Sequence, residues 1–222
     1  MSLKVVAVTA GLSQPSSTRI LTDLIADSVT AQVTARGEAV EVQVIELRDL
    51  AAELATTMLT GGLPTPAVAA AREALAAADG LIAVTPVFTA SYSGLFKMFF
   101  DILDPDTLRN VPTIVAATAG TPRHSLVLDF AMRPLFSYLH ALVVPTGVFA
   151  ATDDFGAGAE GSGLAGRVRQ AAGELVTQML QSGNSVGGFV QSDADLTRRV
   201  SGNLLGSTPD FATLLKGHAG TL

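Results

Sequence analysis

The chain has 222 residues, 48% of them hydrophobic and 15% charged, a balance that favours one folded domain with a substantial core over disorder. It holds no cysteine, which removes disulfides, thiolate metal sites and a cysteine nucleophile and suits a reducing, cytoplasmic setting. A formal charge of −6 speaks against general binding to the phosphate backbone of nucleic acid.

In chain order, the first apolar run is Leu3–Thr9, too short for the core of a signal peptide and read as a strand. Leu21, Leu24, Ile25, Val29 and Val33 then recur on one face of a helix that starts near Ser16. Ala39–Ile45 alternates more and suggests an edge strand. The wide connection from Leu47 to Leu63 is a candidate active-site flap or oligomer contact. Thr65 followed by Pro66 is an N-cap with proline at the first helical position, and Gly80 closes that helix.

Leu81–Thr85 is the third strand, and Leu95, Phe96, Phe99, Ile102 and Leu103 mark the next helix. Val111–Thr118 is the fourth strand, and Leu126–Leu139 forms a helix that Pro134 should kink or break. The stretch 134–152 lacks Lys, Arg, Asp and Glu, but Pro134, His140, Pro145 and Gly147 interrupt it. It reads as a helix end and a buried strand, Leu142–Phe149, so no membrane association is expected. Leu164, Val168, Ala171, Leu175 and Met179 mark a last helix.

Strand–helix alternation repeated five times predicts an α/β fold. The expected form is a flavodoxin-like, doubly wound, five-stranded parallel sheet of order 2-1-3-4-5, with helices on both faces. Residues 1–181 should form this domain. Residues 182–222, rich in Gly, Ser and Asp, are read as a C-terminal extension, an oligomer-packing arm in one reading and a tail in the other.

In such sheets, ligands bind beyond the carboxyl ends of the strands, where the strand order reverses. Three loops lie there. The first, Thr9–Arg19, sets Gly11, Ser13, Ser16, Ser17 and Thr18 around a helix start, where unsatisfied N–H groups and the helix dipole favour an anion. Arg19 could add charge; equally, Ser16 or Ser17 could be an ordinary N-cap. The loop has neither a Gly-Lys-Ser/Thr nor a Gly-x-Gly-x-x-Gly pattern. The second, Thr85–Gly94, offers backbone N–H groups and flat apolar surface for a planar heteroaromatic ring. Phe96, Phe99 and Phe100 beyond it have the spacing of a buried helix face. The third, Thr118–His124, has small residues that let a ligand edge approach the main chain, and Arg123 and His124 could meet a charged nicotinamide cofactor or simply be solvated. No histidine has a metal or nucleophile partnership, and Asp153-Asp154 reads as a solvated turn.

Ala10-Gly11 with Pro15-Ser16-Ser17-Thr18, then Thr85-Pro86-Val87-Phe88 with Tyr92–Lys97, then Ala117–Thr121, Leu128–Leu135 and Gly147–Ala150 follow one another at the appropriate strands. From Lys4 to about Phe155 the chain resembles the NADPH-dependent FMN reductase family, above all the FMN reductase components of alkanesulfonate monooxygenase systems. The resemblance implies FMN, with its phosphate on Ser13, Ser16, Ser17 and Thr18. It sets the isoalloxazine against Pro86, Val87 and Phe88 and against Thr118, Ala119, Gly120 and Thr121. It implies hydride transfer from NADPH or NADH to flavin N5, with no catalytic side chain required. It also implies a homodimer or homotetramer and a flavin-dependent monooxygenase as a partner. Related sulfonate-system reductases often carry tyrosine near the position of Phe130, in a helix that shapes flavin exchange. The alternatives are an FMN-retaining quinone or azo reductase, a flavodoxin-like electron carrier without NAD(P)H activity, and an interaction protein that keeps only the fold.

Overall fold

A computed structural model describes residues 2–156 and 163–182. The first strand, β1 (Leu3–Thr9), is buried on both faces from Val5 onward, as a central parallel strand must be. Helix α1 (Ser17–Thr34) starts at the N-cap Ser16 and turns Leu21, Ile25, Val29 and Val33 inward. Strand β2 (Val40–Glu46) alternates in burial and lies at the edge.

Leu47–Leu63, the candidate flap or oligomer contact, holds a 3-10 turn (Leu47–Leu50) and helix α2 (Ala51–Leu59), which buries Leu54 and Thr57. Helix α3 (Pro66–Ala76) begins at Thr65, whose hydroxyl accepts from the Val68 N–H. Strand β3 (Gly80–Phe88) runs on into a hairpin with β4 (Ser91–Tyr92), and helix α4 (Gly94–Asp101) follows. Strand β5 (Pro112–Ala119) leads to a 3-10 turn (Pro122–His124), a π-turn (Leu128–Met132) and helix α5 (Arg133–Tyr138). The short strands β6 (Leu142–Val143) and β7 (Val148–Ala151), helix α6 (Thr152–Gly156) and helix α7 (Leu164–Ser182) complete the described chain.

The fold is a flavodoxin-like α/β sandwich, but the sheet has seven strands in place of five. Its order is β2-β1-β3-β5-β6, with β4 antiparallel on β3 and β7 parallel on β5. The expected strand Leu142–Phe149 is split for a physical reason. Pro145 has no N–H to give a ladder. Arg133 takes the carbonyls of Val144 (3.0 Å) and Pro145 (2.5 Å), and Glu174 takes the N–H of Thr146 (2.7 Å). Side chains thus satisfy backbone groups that a continuous strand would have paired.

Alternate strand residues feed two cores. Val5, Ala7, Ile82, Val84, Ile114 and Ala116 pack under α1 and α7. Val6, Val8, Leu81, Ala83, Val115 and Ala117 pack under α2–α5, where Phe96, Phe99, Phe100 and Phe136 form an aromatic cluster. The expected helix Leu126–Leu139 opens where Pro134 cannot donate to the preceding turn, and the strain is taken up as a π-turn. No helix among the described residues is long and apolar enough to cross a membrane. The expected extension falls, from residue 183 on, outside the described residues.

Candidate functional site

The carboxyl ends of β1, β3 and β5 lie side by side, with Thr9 opposite Val84 and Pro86 opposite Thr118. The loop after β1 folds back so tightly that a Cβ on Gly11 would sit 2.1 Å from the Ser16 hydroxyl oxygen and 3.1 Å from the Thr18 Cβ. Only glycine fits. The Ser16 hydroxyl accepts from the Arg19 N–H at 3.2 Å, so Ser16 is the cap of α1, while Ser13 and Ser17 are exposed. The first-turn N–H groups of Ser17 and Thr18 open toward the loop, at the positive end of an eighteen-residue helix.

Thr18 is buried, and its hydroxyl pairs with that of Thr118 at 2.8 Å, which ties the first loop to the third. Thr9, at the end of β1, is 2% exposed, and its hydroxyl has no hydrogen-bond partner among the described residues. A buried polar atom left this way lacks a group that the fold itself does not supply.

Arg19 does not reach across the loop. It pairs with Asp23 at 2.8 Å and with Glu46 at 2.5 Å, contacts that raise its pKa through the Asp23 hydrogen bond first. Arg48 at the end of β2 covers the loop instead. Its guanidinium approaches the Ser13 carbonyl at 3.5 Å and, with the Gln14 amide oriented to satisfy it, donates to the Gln14 oxygen at 2.7 and 2.8 Å. Nothing local in the sequence signals Arg48, because the contact spans 35 residues.

In the second loop, Pro86 is buried, Val87 half-buried and Phe88 exposed. Thr89 and Ala90 take left-handed backbone conformations, φ +48° and +66°, which turn the chain in two residues and let β4 pair back on Val87 and Phe88. The Thr85 hydroxyl accepts from the Ser93 N–H at 3.0 Å, and Ser93 in turn caps α4 by accepting from the Phe96 N–H at 3.1 Å. Thr9, Thr85 and Ser93 were not singled out in the sequence; a hydroxyl closing an apolar run was the available signal for Thr9 and Thr85, and a serine ahead of a helical run for Ser93.

In the third loop, Thr118 is buried, Ala119 half-buried, and Gly120 and Thr121 exposed. A Cβ placed on Gly120 would meet nothing within 4 Å, so this edge of the main chain is open. Arg123 and His124 are exposed on the 3-10 turn just beyond. Asp154, expected in a solvated turn, accepts from the Ala151 N–H at 2.8 Å and pairs with Arg167 at 3.4 Å. Among the described residues no cluster of His, Asp and Glu could hold a metal ion.

The profile of the NADPH-dependent FMN reductase family matches residues 3–156. The chain is 41% identical over 154 residues to an FMN reductase (NADPH) of Pseudomonas aeruginosa, covering 68% of this chain and 78% of that protein. It is 38% identical over 175 residues to the NADH-dependent FMN reductase SfnE of Pseudomonas putida, covering 78% and 91%. Among solved structures, an oxidoreductase from Corynebacterium diphtheriae superposes with a TM-score of 0.78 at 56% identity, covering 81% of this chain and 98% of that one. The segment that all three loops occupy is the segment the family profile spans, and the chain belongs to the NADPH-dependent FMN reductase family.

Proposed function

We propose that the chain transfers hydride from NADPH or NADH to FMN seated where the three loops meet. The observation that carries this reading is the cradle after β1. There a Cβ on Gly11 would displace the Ser16 hydroxyl, the start of a long helix opens beside it, and the buried Thr9 hydroxyl has no partner among the described residues. A phosphate suits that place, because backbone N–H groups and the helix dipole both favour a negative charge. Ser13, Ser16 and Ser17 would donate hydroxyls to it. Thr18 would offer its N–H while its side chain holds the loop against β5 through Thr118.

The ring of the flavin would lie between Pro86, Val87 and Phe88 on one side and Thr118, Ala119, Gly120 and Thr121 on the other. Bound FMN supplies the hydride-accepting centre. What remains for the protein is to bind both partners, orient them and limit water, and no described side chain is needed as an acid or base. Arg123 and His124 would meet the charged part of the nicotinamide donor. The reduced flavin would pass to a flavin-dependent monooxygenase in the cytoplasm. Exposed Leu126, Phe130 and Tyr138 would be covered in a homodimer or homotetramer.

The test is an FMN titration of the purified protein, followed by NADH and NADPH oxidation with and without added FMN. Oxidation should depend on FMN and release reduced flavin. Gly11→Ala, which pushes Ser16 off the cap, should weaken FMN binding by roughly tenfold, about 1.4 kcal/mol. Absence of both binding and oxidation sinks the reading. FMN retained through turnover on an added quinone would make the chain a quinone reductase, and FMN binding without NAD(P)H oxidation an electron carrier.

A further inference from the structure

A cavity lies on the aromatic face, between the end of α2, the middle of α3 and the end of α4, and shares no residue with the three loops. Its volume is about 370 Å³, and Met58, Gly61, Gly62, Arg72, Asp101 and Asp104 contribute to its wall. Gly61 and Gly62 take left-handed conformations, φ +70° and +94°, and turn the chain at the mouth without placing side chains there.

Arg72 is 5% exposed, and among the described residues it makes no hydrogen bond or ion pair. A guanidinium is charged at every accessible pH and carries five N–H donors. Its nitrogens are not sealed in the core; they open on the cavity. Neither carboxylate of the same wall pairs with it. Asp101 pairs with the Lys97 ammonium, and Asp104 accepts from the Asp106 N–H at 3.0 Å. Among the described residues, then, no anion meets the guanidinium of Arg72.

We propose that this cavity binds a small molecule through an oxyanion group, a carboxylate, phosphate or sulfonate, that takes the fork of Arg72. All three share the pair of coplanar oxygens that a guanidinium grips with two parallel N–H bonds. The volume limits the ligand to a small metabolite, and the carboxylates at the wall favour one that also carries a hydrogen-bond donor.

The test uses the full chain saturated with FMN, so that the loop after β1 is filled. Acetate, inorganic phosphate and methanesulfonate are titrated separately, at constant ionic strength against chloride. The readouts are the arginine Nε–Hε resonances and the melting midpoint. At least one of the three anions should move a single arginine resonance saturably and raise the midpoint; the anion that does so identifies the group. That resonance should be missing from Arg72→Met, whose midpoint should not respond. Arg72→Lys, which keeps the charge but loses the fork, should bind at least roughly tenfold more weakly.

Without anion, Arg72→Met should melt close to the parent, since Arg72 makes no pairing with the described residues for the substitution to break. If that variant does not fold, the resonances of the parent and of Arg72→Lys still decide. The proposal is overturned if no anion gives a saturable response, or if Arg72→Met responds as the parent does. It is equally overturned if the parent ignores all three anions while Arg72→Met dissociates an oligomer, which would assign the cavity to a carboxylate of a second copy.

Discussion

The two faces of the sheet are built differently. Under α1 and α7 the core is aliphatic, and two helices of 18 and 19 residues cross it without interruption. Under α2–α5 the core centres on four phenylalanines, and the helices over it have 6 to 11 residues. The first face gives a rigid helix start for the loop after β1. The second contains the π-turn, the exposed Phe130 and the cavity of Arg72. Regular packing holds the anchor of the proposed site, while the broken face provides its accessory surfaces.

The largest effect should come from the aromatic cluster. Phe100 is 2% exposed, and its ring centroid lies 4.6 Å from that of Phe96 and 4.9 Å from that of Phe136. Phe100→Ala should cost about 3–5 kcal/mol in chemical denaturation. Leu21→Ala on the aliphatic face should cost about 2–5 kcal/mol. If Phe100→Ala proves much the milder of the two, the aromatic cluster is not the stability centre of its face.

Next is the strut between the faces' shared loops. Thr18→Val or Thr118→Val alone leaves the other buried hydroxyl without its partner and should cost about 1–3 kcal/mol. The double variant should cost less than the sum of the two. Strict additivity in the double-mutant cycle would deny the coupling.

The second loop should respond in the opposite direction. Ala90 sits at φ +66°, a conformation that costs a side-chain-bearing residue about 1 kcal/mol. Ala90→Gly should therefore raise the melting midpoint by a few degrees' worth of that strain, measured by calorimetry. A lowered midpoint would show that the turn is supported by the alanine side chain.

The smallest effect concerns the split strand. Burial raises the pKa of Glu174, but the Thr146 hydroxyl and N–H, both at 2.7 Å, outweigh it and hold the carboxyl below its ordinary 4.5. A lowered native pKa means that the contribution is complete above that ordinary value and is lost as pH falls through the native one. Glu174→Gln should make the loss of stability below pH ~4.5 shallower. An unchanged acid profile would remove Glu174 from the account of why β6 and β7 separate.

Much of the fold could be read from the chain because its signals are local. Thr65-Pro66 starts α3 and Ser16 caps α1 because N-cap chemistry needs only the next three residues. The continuous apolar runs of β1, β3 and β5 required burial on both faces, and the i, i+3, i+4 spacing of Leu164–Met179 required a helix against the sheet. The order of small and hydroxyl residues after these strands marked the three loops.

Partnerships across the chain were not legible in this way. Arg19 stands next to the serines in sequence, yet Asp23 and Glu46 hold it away, and Arg48 covers the loop. Thr18, grouped with the phosphate hydroxyls, turns its own to Thr118, 100 residues on. The fifth strand divides because Arg133 and Glu174 reach its backbone from two helices, and Thr89-Ala90 turns left-handed although neither is a turn-forming glycine or asparagine. By itself the sequence determined the alternation of strands and helices, their caps and the three loops at the strand ends, since hydrophobic period and backbone chemistry act over a few residues. Only the tertiary structure decided which side chain meets which and which charge is left alone. Arg72, buried and without a partner among the described residues, is one such outcome, for burial and pairing are set by neighbours that the chain brings together only when it folds.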